Sequence, residues 1–259
     1  MSNYPRLGGH LIVFGPQYTM ENDAAFILDS VRAAGYDAVE GGMAGDAAAY
    51  KRLLDERDMV CAGLHTSIAR DPDIGELIAQ LKTLECRHLC NSGIVAREDR
   101  SLADYEHSAG LLNEMGRRLA DEGIAFHYHN HDFEFVALDG ERTGMDVLLD
   151  MLDPRAVDLC VDVGWVHVAG RDPAAFLDQH RDRVGYVHLK DYARQPGTTD
   201  RAGLIWRELG NGVVDWASVM PAVATLDVEW ALVEQDRTDR TPGESLTMSR
   251  SFLKTQFDY

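Results

Sequence analysis

Basic residues are scarce in this chain: 25 Lys and Arg stand against 43 Asp and Glu in 259 residues, for a formal net charge of −18. So acidic a surface repels phosphate backbones, and no Lys/Arg-rich run offsets it, so nucleic acid is not an expected partner. No window reaches the roughly 18 consecutive apolar residues that cross a bilayer, so no membrane partner is expected either. Met1–Arg6 lack the basic start and apolar run of a secretory leader. The cysteines are few, Cys61, Cys86, Cys90 and Cys160, and none form a C-x-x-C pair. Reduced thiols in a cytoplasmic protein are the simplest expectation. Cys86, His88 and Cys90 would share one face of a strand, where a packed strand is a simpler account than a metal site. Neither G-x-G-x-x-G nor G-x-x-x-x-G-K-[ST] follows an early apolar run, which leaves a nucleotide-binding doubly wound sheet without support. No low-complexity linker or shift of composition divides the chain, so one domain over residues 1–259 is expected.

What the chain does have is alternation. Short apolar runs occur at 10–14, 38–39, 60–64, 88–90, 124–128, 157–161, 184–187 and 228–233. Amphipathic stretches fit helices at 20–34, 45–57, 72–84, 101–122, 143–152, 172–181, 215–225 and 243–257. Gly35 suits the end of the first, and Pro72 after Asp71 suits the start of the third. Eight strand–helix pairs in strict order predict a parallel sheet closed into a (β/α)8 TIM barrel. The longest irregular stretch is 191–213, a length that often forms a lid or wall.

The apolar runs end on polar residues: Glu40, His65, Asn91, His129, Asp162, His188 and Glu234. In a barrel these ends meet on one rim. A single Glu after a strand is usually a loop charge or a cap. Many together are different, because crowded carboxylates repel unless a cation sits among them. Asp, Glu and His are the residue types that bind such a cation.

Tyr128-His129-Asn130-His131-Asp132-Phe133-Glu134-Phe135, Val161-Asp162-Val163-Gly164-Trp165, Val187-His188-Leu189-Lys190-Asp191 and Val233-Glu234 resemble segments of the xylose isomerase-like barrel superfamily of sugar isomerases and epimerases. Gly35–Glu40 and Glu208–Gly212 also look like family segments, and the resemblance covers nearly the whole chain. It implies one divalent metal ion held by Glu134, Asp162, His188 and Glu234. Three carboxylates and one imidazole suit Mn²⁺ first, with Mg²⁺, Co²⁺ or Zn²⁺ as alternatives. A net negative site tolerates a neutral carbohydrate better than a phosphate-rich ligand. Glu134 and Glu234 are the implied acid and base on opposite faces of the sugar. His65 and Arg194 are implied substrate contacts; His131 could orient the substrate, and Lys190 could stabilise an oxyanion or pair with Asp191 or a rim carboxylate. Trp165 stands where many members carry His, and could stack on the substrate. At most one of His129 and His131 is expected to face the site. Members are often homo-dimers or homo-tetramers.

The expected chemistry is proton abstraction beside a carbonyl, through an enediolate stabilised by the metal, in a keto-sugar isomerase or epimerase. A lyase or dehydratase acting on a keto-glycoside or inosose would begin with the same step. A metal-dependent endonuclease of the same superfamily fits the charge poorly. A non-catalytic sugar-binding subunit would have little use for an intact ligand set.

Overall fold

Strands that alternate between two buried surfaces shape this molecule. The computed structural model describes residues 4–43, 45–96, 100–140 and 142–259. Eight parallel strands close into a barrel: β1 Arg6–His10, β2 Ala38–Gly41, β3 Val60–Thr66, β4 His88–Ser92, β5 Ala125–His129, β6 Asp158–Asp162, β7 Val184–Leu189 and β8 Trp230–Val233. Each neighbours the next in sequence, and β8 pairs with β1. Helices follow the strands: α1 Met20–Ala33, α2 Ala47–Asp55, α3 Ile74–Thr83, α4 Leu102–Ala120, α5 Gly144–Met151, α6 Val163–Val168, α7 Pro173–Gln179, α8 Trp216–Val223 and α9 Pro242–Phe257. No helix among the described residues is long and apolar enough to cross a membrane.

The period of two along each strand explains both packing surfaces. On β6, Leu159 and Val161 join the main core between strands and helices, while Cys160 joins a small cluster inside the barrel. On β7, Val187 and Leu189 face the helices and Tyr186 faces in. On β8, Ala231 and Val233 pair with the helical layer and Trp230 and Leu232 fill the interior. The next inward residue on each strand is Asp162, His188 or Glu234. Apolar side chains therefore plug the barrel, and ionisable ones cap the plug at the C-terminal mouth.

The first strand differs from the sequence expectation. Leu11–Phe14 form a 3-10 turn, and β1 is the preceding Arg-Leu-Gly-Gly-His. Gly8 and Gly9 hide this strand from a search for apolar runs. A Cβ on Gly8 would meet Leu232 Cδ1 at 2.4 Å and the Ala38 carbonyl oxygen at 3.1 Å, so the interior leaves it no room. The correction moves His10 from the start of a strand to its C-terminal end. The stretch after β7 is also more ordered than expected: Asp191–Arg194 and Leu204–Arg207 pair as an antiparallel ribbon.

The helix after β6 must pass close to the chain leaving β7. A Cβ on Gly164 would lie 2.8 Å from the Lys190 carbonyl oxygen and 2.9 Å from Lys190 Cβ. Gly164→Ala should therefore lower stability by about 1–3 kcal/mol, despite the better helix propensity of Ala. Urea unfolding checks this; a neutral or stabilised variant would mean the two segments separate freely.

Candidate metal centre and active site

The barrel register puts the polar strand ends side by side. His10 lies across from Glu40, Ser92 from His129, and Asp162 from His188. His129, Asp162, His188 and Glu234 each offer one ligand atom, and these atoms all lie within 4.8 Å of one another. All four residues are buried. Asp162 Oδ2, His188 Nδ1 and Glu234 Oε2 make no well-formed hydrogen bond among the described residues, although the last two are in contact with each other. Buried polar atoms rarely go unsatisfied in proteins. His188 Nδ1 rests against Glu234 Oε2, while its Nε2 is 2.7 Å from Glu40 Oε2. A carboxylate on the far nitrogen of an imidazole fixes its orientation and leaves the near nitrogen for a metal. Two carboxylates and two imidazoles with converging free lone pairs fit a hard or borderline divalent cation.

Glu134, the fourth expected ligand, is not in this group. It sits in the turn Phe133–Phe135, fully buried. The Tyr128 hydroxyl donates to its Oε1 at 2.6 Å and the His131 N–H to its Oε2 at 2.7 Å. His129, where β5 ends, has its side chain among the grouped atoms, and Glu134 lies five residues on. His129 and His131 both line the cavity, contrary to the expectation of at most one. Two residues apart on an extended chain, they share a face.

Lys190 is buried in the same cluster. Its Nζ is 2.9 Å from Glu234 Oε1, 3.0 Å from Asp236 Oδ2 and 3.6 Å from Asp162 Oδ2. Burial opposes its charge, but Glu234, Asp236 and Asp162 outweigh that and hold its pKa above the usual lysine value. One ammonium among three carboxylates leaves the cluster negative. Burial, reinforced by Glu234 and opposed by Lys190, raises Asp162 to about 7. The Lys190 ammonium lies 4.4 Å from the Trp206 ring centre and 5.1 Å from that of Trp165. Trp165 itself packs against Trp206, His131 and the Arg201 guanidinium, so it forms part of a wall. Arg194 lies outside the cavity lining, and its guanidinium donates to the Asp200 carbonyl at 2.7 Å. Arg201, tied to Asp132, holds the position over Trp165.

The cavity at the mouth has a volume of about 550 Å³, and its lining includes His10, His65, His129, His131, Glu234 and Asp236. On one side, His65 Nδ1 is 3.1 Å from Glu40 Oε1 and 3.2 Å from His10 Nε2. His65 Nε2 is 3.0 Å from the Ser92 hydroxyl. Burial disfavours charge on His65, but the bond to Glu40 overcomes it and raises the pKa. Burial drives His10 down to about 4, so it stays neutral. Sequence reading passed over His10 because it placed that residue at the wrong end of β1. Glu40 was legible on the rim without a role, and His129 as a residue that could orient the ligand; the signal of both is the inward period of two.

Burial raises Glu134 to about 7, against the lowering bonds from Tyr128 and His131. The folded chain thus keeps a proton that the unfolded chain, near 4.3, has released. This contribution stabilises the fold below about pH 4.3 and is lost as pH rises through about 7. Glu134→Gln is neutral throughout and can keep both bonds, with Tyr128 accepting. Between about pH 5 and 8 the metal-free variant should lose less stability than the metal-free wild type, the difference approaching about 3 kcal/mol. Parallel urea curves at both pH values would contradict it.

The family profile of xylose isomerase-like TIM barrels matches residues 28–256. Inosose dehydratase of Bacillus velezensis is 24% identical, over 93% of this chain and 91% of that enzyme. Inosose dehydratase of Lacticaseibacillus casei is 26% identical over 58% of this chain, a match spanning only about half of that relative, 54%. A sugar phosphate isomerase/epimerase from Parabacteroides distasonis superposes with a TM-score of 0.77 at 18% identity, covering 96% of this chain and 97% of that one. The IolI protein, solved with a bound zinc atom, superposes at 0.71 with 14% identity, covering 96% and 97%. At such identities the structural likeness establishes the fold. The profile match over nearly the whole length establishes more: the chain belongs to the xylose isomerase-like TIM-barrel family.

Proposed function

We propose that this protein is a divalent-metal-dependent lyase that removes water from a neutral cyclic polyhydroxy ketone, a keto-sugar or an inosose. One observation carries the reading: a buried carboxylate base, Glu234, and an imidazole acid, His65, whose proton affinity Glu40 raises, line the same cavity. The inosose dehydratases that resemble this chain give the substrate class.

Asp162, His188, Glu234 and His129 would hold the cation. When bound, it supplies Lewis acidity that makes the carbon beside a carbonyl acidic. Burial opposes ionisation of Glu234, but Lys190 and His188 overcome it and keep the group an anion able to accept a proton. In the proposed reaction Glu234 takes the proton from that carbon, and the electron pair enters the new carbon–carbon double bond. As the carbonyl reforms, the bond from the next carbon to its hydroxyl oxygen breaks. The departing oxygen takes a proton from His65 and leaves as water. Glu40 steadies the charged His65 before transfer. Exchange with solvent then returns a proton to His65 and removes one from Glu234.

Isomerisation or epimerisation is the second reading. It calls for a second acid–base group on the opposite face of the substrate. Glu134 has the pKa for that role, at about 7, and it neighbours the cavity residue His131 through the His131 N–H bond. To join the metal or the substrate it must leave both that bond and the Tyr128 hydroxyl. The dehydratase reading requires no such movement.

Proton NMR in deuterium oxide separates the two. Protein stripped of metal should be inactive on an inosose or keto-sugar, and added Mn²⁺ should restore an unsaturated or diketone product. An epimer formed without elimination would sink the lyase reading. His65→Gln should slow elimination by about 10²–10⁴-fold while deuterium still enters beside the carbonyl. Glu234→Gln should abolish both. Equal loss of exchange and elimination in the His65 variant would remove its role as acid.

A further inference from the structure

Beneath the oxygen-rich ligands the barrel interior holds two thiols. Cys90 lies one inward step below Ser92 on β4 and Cys160 one inward step below Asp162 on β6; both are fully buried. Cys90, Cys160 and His188 each offer a ligand atom, all within 4.8 Å of one another. Cys160 Sγ is also 3.7 Å from His129 Nδ1. Oxidation cannot close this pair without moving the barrel. Strands β4 and β6 are separated by β5, so their backbones run about two strand spacings, ~9 Å, apart. A disulfide needs Cα atoms within about 7 Å. A cation bridges such a gap more readily, since two sulfurs on one tetrahedral Zn²⁺, each at about 2.3 Å, lie ~3.8 Å apart.

We propose that Cys90, Cys160 and His188 form a second metal site, for soft or borderline cations such as Zn²⁺ or Cd²⁺, and that its occupation excludes the metal of the catalytic centre. Thiolates favour such ions, while the carboxylate pair above favours Mn²⁺ or Mg²⁺. As each sulfur–metal bond forms, the thiol gives its proton to solvent. The exclusion follows from sharing. His188 belongs to both ligand groups, and its Nε2 is held by Glu40, which leaves one nitrogen for two cations. His129 belongs to the upper group and touches Cys160, so a lower cation draws on that side as well. The barrel thereby sorts metals by depth: a hard ion at the mouth arms the site, and a soft ion one layer down disarms it. The exclusion rests on the catalytic metal centre described above; the thiol site does not.

The full-length protein, stripped of metal, is titrated with Cd²⁺ alone and followed by its ultraviolet thiolate-to-cadmium absorption. The wild type should develop this band, saturating at one ion per chain. Cys90→Ala should lose it. Cys61→Ala should keep it, because Cys61 belongs to the main core layer and not to the interior thiol pair. Bound Mn²⁺, read by electron paramagnetic resonance, should be released by Cd²⁺ at a concentration at least tenfold lower in the wild type than in Cys90→Ala. Retained Mn²⁺ binding shows that the Cys90 variant is folded, and Cys160→Ala serves as a second variant with the same expected loss of the band. Asp162→Asn should lose Mn²⁺ while keeping the cadmium band, so that failure of the catalytic-centre reading and failure of the thiol site are separable. No band in the wild type, or an undiminished band in Cys90→Ala, overturns the site. A band formed with Mn²⁺ still fully bound overturns the exclusion.

Discussion

Buried like charges a few ångströms apart set the terms for the mouth of this barrel. Two unit charges 4 Å apart interact with about 4 kcal/mol even at an effective dielectric of 20. Asp162, Glu234 and Asp236 crowd within reach of one ammonium, Lys190 Nζ, and Glu40 lies on the other side of His188. Lys190 answers part of the repulsion, and a divalent cation would answer the rest. Much of the surrounding architecture serves this balance. Gly164 gives the Lys190 backbone room to pass, two indoles cover its ammonium, and Glu40 turns His188 so that its other nitrogen faces Glu234.

The same constraint separates acid from base. Lys190 and His188 keep Glu234 ionised, whereas Glu40 draws a proton to His65. Both sit on one cavity wall system yet answer to different counter-charges. A site with two roles for similar groups needs environments that push their proton affinities apart. Here the separation comes from which strand end each residue occupies, with β8 delivering one and β3 the other.

Most of the barrel was legible in the sequence because strands two to eight carry apolar runs that stop on a polar residue. β1 was not, because Gly8 and Gly9 replace the apolar signal with space that Leu232 and Ala38 fill at Gly8 and that Val31, Tyr36 and Leu246 border at Gly9. Asp162, His188 and Glu234 were legible as strand-end residues and converge as expected. Glu134 was read through resemblance, and in its turn the carboxylate accepts from the Tyr128 hydroxyl and the His131 N–H. Counting inward residues along β5 points to His129 without any appeal to relatives. Arg194 and Arg201 could not be told apart by sequence, since only the pairing of the ribbon decides which one reaches the wall.

The ribbon that carries Trp206 is fastened at its far end, where Arg201 grips Asp132 beyond β5. That clasp keeps the indoles seated over Lys190 and keeps mobile ions away from it. Salt in solution weakens exposed charge pairs over about 8–10 Å but reaches buried ones much less. The field at the bottom of the cavity is thus insulated from the ionic strength outside, while Arg201 and Asp132, half-exposed at the rim, feel every change in it. The barrel mouth behaves like a shielded instrument whose cover, and not its contents, responds to the surrounding electrolyte.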